Sequence, residues 1–170
     1  MHLALTSCDV RSWRRSDATS LATHANNHRI WINLRDRFPH PYTKSDARAF
    51  IRATAGHHPE TAFAIVVNDE AVGGIGVVPN ADVERVSAEI GYWLAEPMWG
   101  RGIMTEALTA VTRHAGDVHG LTRIYALPFA TNAGSCRVLE KAGYVLEARL
   151  RRSAIKDGRV IDQLQYAFIF

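Results

Sequence analysis

The sequence predicts an α+β fold in which helices pack on one mixed, mostly antiparallel sheet of seven strands. Short runs of alternating apolar residues are separated by turn residues, which is typical of antiparallel strand pairs. Other stretches repeat their apolar residues with the period of a helix. Only one strand–helix–strand unit occurs, in the middle of the chain, and this excludes a doubly wound parallel sheet.

The predicted elements follow one another along the whole chain. The strands are expected at residues 4–11, 63–67, 72–78, 86–94, 122–127, 144–152 and 160–168. The helices are expected at residues 17–25, 29–35, 43–56, 103–119 and 132–142. Because no internal repeat and no linker rich in Pro, Gly or Ser divides them, we expect a single domain over residues 1–170.

In the first half of the chain, the residue types at the helix ends support the predicted helices. Asp17 is a suitable N-cap for the first helix. The prolines at positions 39 and 41 remove amide donors and end the second helical piece. The helix that begins at residues 43–46 has Ala47, Phe50 and Ile51 on one side. Three aromatic residues are expected in the core: Trp31, Phe50 and Phe63.

In the second half, turn residues separate the strands and helices. Residues 68–70 and the pair Asp157 and Gly158 favour two tight hairpins. Gly143 is placed to end the last helix in the left-handed conformation. Three glycines inside one strand indicate a bulge or a close backbone approach: Gly73, Gly74 and Gly76. The long helix has one apolar stripe, formed by Ile103, Ala107, Leu108, Val111, Ala115 and Val118.

The composition is that of a globular protein. The 170 residues are 47% hydrophobic and 22% charged, which excludes wholesale disorder. There is neither an apolar run near the roughly 20 residues that cross a bilayer nor an N-terminal signal pattern, so we expect no membrane partner. The two cysteines, Cys8 and Cys136, cannot form a disulfide framework, which favours a reducing cytoplasm.

The charge balance is mildly basic. Twenty Lys and Arg residues stand against 17 Asp and Glu residues, for a net charge of +3. Arginines cluster near residues 11–15 and 149–159, but a nucleic-acid-binding protein usually concentrates more charge on one face. A solvated surface explains these clusters more simply, and nucleic acid is not an expected partner.

The most informative stretch is the glycine-rich turn at residues 99–102, between a strand and the long helix. The first amides of a helix have no partner within it and carry the positive end of its dipole, so they favour an anion such as a pyrophosphate. Gly100 and Gly102 allow a ligand to approach the backbone, and Arg101 adds a charge. The structural alternative to an anion site is a helix start whose amides bind only water.

Two common phosphate-binding motifs do not fit this turn. The chain contains no G-x-x-x-x-G-K-[ST] run. Gly100, Gly102 and Thr105 fall one residue short of G-x-G-x-x-G, and no acidic residue for a ribose ends the next strand. A dinucleotide site is therefore excluded.

Four segments in register resemble one family. Residues 99–104, Trp-Gly-Arg-Gly-Ile-Met, look like the R/Q-x-x-G-x-G/A turn of the GNAT superfamily of acyl-CoA-dependent N-acyltransferases. Residues 89–94, 132–144 and 38–43 resemble segments of its RimJ/RimL-type branch, the ribosomal-protein-alanine N-acetyltransferase-like group. Trp99 and Met104 depart from the pattern but leave the backbone amides in place.

The resemblance implies the GNAT fold, with helices on both sheet faces and a central opening that holds acetyl-CoA as co-substrate. The strand that ends at Leu94 is then expected to splay from the strand that begins near Thr122. Backbone groups on the opening pair with the pantetheine arm, and the amides of the glycine turn bind the pyrophosphate. The coenzyme-binding residues implied are Trp93, Leu94, Gly100, Arg101, Gly102, Ile103, Met104, Thr105, Asn132 and Ser135.

The resemblance also implies direct acyl transfer to a primary amine in a ternary complex. Glu89 matches the position of the carboxylate base in several branches, although a free carboxylate is a weak base and needs burial or a relay water. Holding the N-terminal segment is its structural alternative. Ser135 is the expected proton donor to the departing thiolate, and its alternative is to cap its helix. No base is evident beside Cys136, which argues against an acyl-cysteine route.

The sequence says least about the end of the site that binds the acceptor amine. By resemblance, Phe38, His40 and Tyr42 lie on the segment that covers it. A protein N-terminus, an antibiotic amine, a polyamine and an amino acid all stay open as acceptors, and so does a longer acyl group than acetyl. The eight histidines, among them the pair at positions 57 and 58, show no zinc-ligand spacing, so we expect no metal. A homodimer through the edge of the last strand is expected, and a non-catalytic acyl-CoA-binding module is the alternative function.

Overall fold

In a computed structural model of the chain, which describes residues 1–56 and 58–170, eight strands form one sheet. Their order across the sheet is β1-β2-β3-β4-β5-β6-β8-β7. The strands are β1 (His2–Ala4), β2 (Asp9–Ser12), β3 (Ala62–Val67), β4 (Glu70–Pro79), β5 (Ser87–Leu94), β6 (Arg123–Ala126), β7 (Val145–Lys156) and β8 (Arg159–Ile169). His57 of the predicted histidine pair lies outside the described residues.

The pairing is antiparallel everywhere except between β5 and β6. The predicted mixed, mostly antiparallel sheet is therefore confirmed. The sheet has eight strands instead of seven because residues 4–11 do not form one strand. They fold as the hairpin of β1 and β2, with Leu3 opposite Val10.

A carboxylate far away in the sequence holds this unpredicted hairpin. Glu106 accepts hydrogen bonds from the backbone amides of Thr6, at 2.7 Å, and Ser7, at 2.9 Å, and from the Ser7 hydroxyl. Across the turn, the Leu5 amide donates to the Cys8 carbonyl at 3.0 Å. Because Glu106 lies about a hundred residues away in the chain, no local pattern could reveal the turn.

Five helices cover the two faces of the sheet. They are α1 (Ala18–Ala25), α2 (His28–Trp31), α3 (Lys44–Thr54), α4 (Ile103–His119) and α5 (Ala133–Lys141). The second helical piece is shorter than the expected 29–35. None of the helices in the described ranges is long and apolar enough to span a membrane.

The alternation of side chains along the strands gives each face its own core. Ile75 of β4 and Ile90 of β5 point into the main core with α4 and α5. Trp93 of β5 points the other way and packs against a second cluster formed by α1, α3 and Tyr42. This confirms helices on both faces, and it gives the two faces of β5 different surroundings.

Two of the predicted core positions are exposed, and a third is only half-buried. Phe63 is buried as expected, but Phe50 is 38% exposed and meets Trp13 edge to face with the ring centroids 5.6 Å apart. Trp31 is half-buried beside His40, with centroids 5.5 Å apart. Val118 is exposed because the buried stripe of α4 ends one turn earlier, at Ala115 and Gly116.

The glycines of β4 permit the close approach that the sequence predicted. A Cβ on Gly74 would lie 2.8 Å from the Trp93 Nε1 atom and 3.2 Å from the Trp13 ring. At Gly73 a Cβ would lie 2.7 Å from the Trp93 carbonyl oxygen. Gly74 thus lets two indole side chains lie against the sheet, and Gly73 lets the backbone of β5 come close.

The edge of the sheet differs from the expectation for a homodimer. The last strand, β8, lies between β6 and β7, so β7 is the edge strand on that side. The long hairpin of β7 and β8, with Asp157 and Gly158 at its turn in positive φ, folds back on β6 and causes this order. The expectation of a dimer interface through the edge of the last strand is therefore wrong, because β8 has a neighbouring strand on both sides.

The start of α1 depends on a buried ion pair. Asp17 precedes α1 but does not cap it. Its carboxylate instead receives two hydrogen bonds from the Arg11 guanidinium, at 2.8 and 2.9 Å, and one from the Arg14 amide at 2.8 Å. Burial is the largest influence on the pKa of Asp17 and acts to raise it, but these hydrogen bonds and the Arg11 charge together hold the pKa below its ordinary value.

We predict that Asp17→Asn lowers the free energy of unfolding by about 3–5 kcal/mol, because it leaves the buried Arg11 charge without its anion. The stabilisation from the lowered pKa is complete above the unfolded-state pKa of about 3.9 and disappears as the pH falls through the folded-state value. Urea unfolding at a series of pH values measures both effects. Asp117→Asn, at an exposed position on α4, is the control and should change stability by less than about 0.5 kcal/mol.

Candidate active site

The sheet opens between β5 and β6. These parallel strands pair only where residues 87–89 face residues 123–125. Beyond Glu89, β5 stays paired with β4 as far as Leu94, whereas β6 ends at Ala126 and pairs with β8. The predicted opening is therefore confirmed. Backbone groups at such an opening lack a neighbouring strand, and a ligand that carries amides can supply the missing partners.

The Trp99 indole ties the glycine-rich turn to the end of β5. Its Nε1 atom donates to the Leu94 carbonyl at 2.7 Å. The Arg29 guanidinium lies over the same ring, 5.4 Å from its centroid. Trp99, which departs from the resembled pattern, thus positions the turn. The Leu94 carbonyl, which the sequence suggested as a coenzyme contact, already has a donor within the protein.

The turn presents bare backbone amides to solvent. Gly100 and Gly102 adopt φ values of 73° and 81°, which a residue with a Cβ adopts only with strain. A Cβ at either position would meet no protein atom within 4 Å. Gly102 is the N-cap of α4, and within the described residues the amides of 103–105 have no protein acceptor. The start of this 17-residue helix is therefore shaped for an anion.

The side chains around the turn leave its backbone clear. Ile103 and Met104 are buried in the main core, so the bulky Met104 does not fill the turn. Arg101 is exposed, with a guanidinium nitrogen 3.2 Å from the Met98 sulfur. Thr105 is half-buried in the first turn of α4.

A second group of polar side chains lies on the other wall of the opening, at the start of α5. The Asn132 Oδ1 atom accepts from the Ser135 amide at 3.1 Å, so Asn132, and not Ser135, caps the helix. This fixes the orientation of the Asn132 side chain. Its Nδ2 group has no protein acceptor in the part of the chain that the structure describes, and it remains available as a donor.

Tyr92 joins this group, and the sequence analysis missed it. Its hydroxyl lies 2.9 Å from the Ser135 Oγ atom, so it bridges β5 to α5 across the opening. Burial raises the pKa of Tyr92, and the hydrogen bond with Ser135 opposes this only in part. The phenol is therefore protonated at neutral pH. The alternation of side chains along β5 could have revealed this residue, because it places Tyr92 on the face opposite to Glu89 and Trp93.

Glu89 lies on that opposite face, at the last residue of β5 that pairs with β6. Its Oε1 atom accepts from the Arg35 guanidinium, which comes from the segment between α2 and α3. Glu89 therefore holds the N-terminal half of the chain. This is the structural role that the sequence offered as the alternative to catalysis. The same position keeps its carboxylate at the mouth of the opening.

Neither thiol is suited to act as a nucleophile. Burial, followed by the charge of Glu106, raises the pKa of Cys8 to about 11. Burial also raises the pKa of Cys136, which lies in the main core. Since the thiolate is the reactive form, both groups are largely unreactive at neutral pH. No cluster of potential metal ligands occurs among the described residues.

Comparison with known families decides the classification. Residues 9–145, which are more than half of the chain, match the family described as acetyltransferase (GNAT) domain. The chain belongs to the GNAT acetyltransferase family. The resemblance found in the four sequence segments is thereby confirmed.

Relatives of this GNAT domain include enzymes named for ribosomal proteins. Ribosomal-protein-serine acetyltransferase of Escherichia coli is 33% identical over 109 residues, which cover 63% of this chain and 59% of the relative. The uncharacterized N-acetyltransferase YoaA of Bacillus subtilis is 33% identical over 100 residues, 59% of this chain and 56% of that protein. The chain thus spans little more than half the length of these curated relatives.

Solved structures share the GNAT fold over nearly the whole chain. RimJ of Mycobacterium smegmatis, solved in complex with CoA-disulfide, is 25% identical with a TM-score of 0.84 and covers 95% of this chain and 81% of its own. A RimL ribosomal-protein acetyltransferase in complex with coenzyme A covers 100% and 98%, with 21% identity and a TM-score of 0.87, and shows the fold alone. The RimJ match and the ribosomal-protein-serine acetyltransferase relative support the RimJ/RimL-type branch.

The three residues that the sequence predicted at the acceptor end have two kinds of environment. Phe38 packs against Tyr42 and Trp93, with ring centroids 4.8 and 6.0 Å apart. Tyr42 is buried in the second core cluster, and this burial raises its pKa to about 12. His40 is exposed and stacks on Trp31. Of the three, His40 is exposed, Phe38 is half-buried and Tyr42 is buried.

We predict that Gly102→Ala weakens the binding of coenzyme A at least tenfold, measured by calorimetry. The new Cβ would stand where a phosphate approaches the amides, and positive φ would cost about 1–2 kcal/mol of stability.

Gly120→Ala is a matched control at the other end of α4. Gly120 has a φ of 62°, and a Cβ there also meets nothing within 4 Å, so the strain is similar. This variant should lose similar stability and keep the affinity for coenzyme A. Equal affinities in both variants would contradict a pyrophosphate site at the turn.

Proposed function

We propose that the protein is an N-acetyltransferase that moves an acetyl group from acetyl-CoA to a primary amine by direct attack in a ternary complex. The observation that carries this proposal is that two features adjoin each other. The opening between β5 and β6 leads directly to the bare amides at the start of α4. One elongated ligand with amides in its arm and a pyrophosphate at its end satisfies both.

The proposed coenzyme site uses backbone groups more than side chains. The pyrophosphate binds the amides of residues 102–105, with Arg101 adding a positive charge. The pantetheine arm takes the place of a strand beside Trp93 and Leu94, and the free Nδ2 group of Asn132 donates to it. Ile103 and Met104 contribute their amides only, since their side chains belong to the core.

In the proposed reaction, the neutral amine nitrogen attacks the thioester carbonyl carbon. The new C–N bond forms, the C–S bond breaks, and the amine loses a proton to Glu89, directly or through water. The departing thiolate takes a proton from Ser135. Tyr92 is neutral and hydrogen-bonded to the Ser135 Oγ atom, so its hydroxyl can stabilise the charge on that oxygen until Ser135 regains, through solvent, the proton that Glu89 took from the amine. The raised pKa of both thiols favours this direct route over an acyl-cysteine intermediate.

The acceptor is proposed to be a protein N-terminus or a small amine, in line with the ribosomal-protein relatives. A non-catalytic acyl-CoA-binding module on the same fold is the alternative. The Glu89 carboxylate at the mouth of the opening and the Tyr92–Ser135 pair inside it favour the enzyme, because binding alone requires neither.

We further propose that the protein acts in the cytoplasm, since Cys8 and Cys136 are both buried and unpaired. If a homodimer forms through a sheet edge, β7 is the strand that offers its backbone on the side of the active site.

We predict that mixing the protein with acetyl-CoA and a panel of primary amines releases free thiol. Glu89→Gln should lower kcat at neutral pH by about a hundredfold or more while coenzyme affinity changes little, because only proton removal is lost. Detection of the CoA thiol, together with calorimetry for the affinity, measures both quantities.

Glu84→Gln, an exposed carboxylate just before β5, is the matched control and should leave kcat unchanged. A wild-type kcat in Glu89→Gln would remove Glu89 as the base. Tight coenzyme binding with no thiol release from any amine would favour the non-catalytic module.

We also predict that Ser135→Ala and Tyr92→Phe lower kcat without raising the KM for acetyl-CoA by a comparable factor. The double variant should lose little more than the single Ser135→Ala variant if the two hydroxyls act as one donor chain. Additive losses in log kcat would show that the two hydroxyls act separately.

A further inference from the structure

A cavity of about 250 Å³ is lined by Arg35, the ion-pair partner of the candidate base Glu89. Its walls come from the segment between α2 and α3, the chain after β6, and the hairpin of β7 and β8. The charged residues among its lining are Arg35, Asp36 and Lys156. Because Arg35 also contacts Glu89, the cavity opens on the side of the sheet where the acceptor is proposed to bind.

Lys156 places a buried positive charge in this cavity. Its side chain is only 3% exposed, and its ammonium lies 3.8 Å from the centre of the Trp31 ring. It donates to Asp36 at 2.8 Å, but the Asp36 side chain is 77% exposed. A buried ammonium requires an anion, and here a surface carboxylate supplies it. Any other carboxylate that enters the cavity can replace it.

The ion pair of Glu89 also joins a more buried member to a more exposed one, but here the more buried member is the anion. Its side chain is 23% exposed, whereas that of its partner Arg35 is 46% exposed. The more buried member is again fixed by the sheet, since Glu89 lies in central β5 and Lys156 is the last residue of β7. The more exposed member again comes from the connecting segment.

The two replaceable charges are carried by adjacent residues. Arg35 and Asp36 lie between α2 and α3, outside any helix or strand, so this segment can withdraw without breaking a backbone ladder. Together they present one cation to Glu89 and one anion to Lys156. An acceptor amine must take the place of the cation if Glu89 is to remove its proton.

We propose that the acceptor is a primary amine that carries a carboxylate, and that Arg35 and Asp36 occupy its place in the free protein. The inference rests on the proposed acetyl transfer and adds the substrate class. The amine displaces Arg35 from Glu89, and the carboxylate displaces Asp36 from Lys156. The Trp31 ring, which stacks on His40, keeps the Lys156 ammonium in place for the incoming carboxylate.

The test compares acceptors that differ only in this negative charge. Straight-chain ω-amino acids of increasing length are compared with their carboxamides, with acetyl-CoA and detection of the released thiol. A second arm compares short peptides that begin alanyl-aspartyl with those that begin alanyl-asparaginyl, which separates free amino acids from peptide N-termini. In at least one arm, kcat/KM for the carboxylate should exceed that for the amide by about tenfold or more.

Two variants should change this ratio in opposite directions. Lys156→Gln should bring the ratio close to one, because the carboxylate loses its ammonium. Asp36→Asn should raise the ratio several-fold, because the internal competitor is removed. Lys141→Gln, an exposed lysine at the end of α5, is the matched control and should keep the wild-type ratio. Each variant tests the proposal by itself, so loss of folding in one leaves the other decisive.

A binding measurement separates this inference from the proposed function. The ω-amino acid that gives the highest ratio, or 6-aminohexanoate if none reacts, should raise the melting temperature of the wild-type protein and not that of Lys156→Gln. Binding without any acetyl transfer would uphold the site and overturn the proposed function. Transfer to carboxamides as efficient as transfer to carboxylates in both arms would overturn the inference and leave the proposed function standing.

Discussion

β5 loses its parallel neighbour after Glu89 yet remains in the middle of the sheet, and the rest of the structure depends on this separation. Backbone groups in the interior of a sheet are stable only when they are paired or accessible to a polar ligand. The residues proposed for the chemistry lie around this opening. The glycine turn lies at its end, Tyr92 and Ser135 lie on one face, and Glu89 lies on the other. A coenzyme in the opening would therefore have a proton acceptor and a proton donor on opposite sides.

One local contact and one long-range contact keep the opening in shape. The Trp99 indole binds the Leu94 carbonyl and thereby fixes where α4 begins relative to β5. Glu106, in the first turn of α4, holds the hairpin of β1 and β2 instead of turning toward the free amides. The helix start thus keeps its positive character for an external anion, and the first-turn carboxylate contributes to the fold.

The acceptor side is held differently, by charges that an incoming molecule can replace. Lys156 and Glu89 are fixed by strands, whereas their partners Asp36 and Arg35 lie on one connecting segment. In the free protein these pairs satisfy two groups that would otherwise be costly to bury. The same pairs would then limit which amines can enter, so the stability of the free state and the choice of acceptor depend on the same four side chains.

Local patterns in the sequence determined most of the fold. The alternation of the strands, the turns at residues 68–70 and 157–158, the left-handed Gly143 and the glycine-rich turn depend on short-range geometry, and each appears in the structure. Tertiary structure alone decided the split of residues 4–11 into two strands, the exchange of β7 and β8 at the sheet edge, the pairing of Tyr92 with Ser135, and the burial of Lys156 beside Trp31. Each of these joins residues that are far apart in the chain, so no spacing or periodicity could reveal it. The sequence could therefore point to the proposed pyrophosphate site, which is one continuous turn, but not to the proposed acceptor cavity, whose walls come from three separate segments.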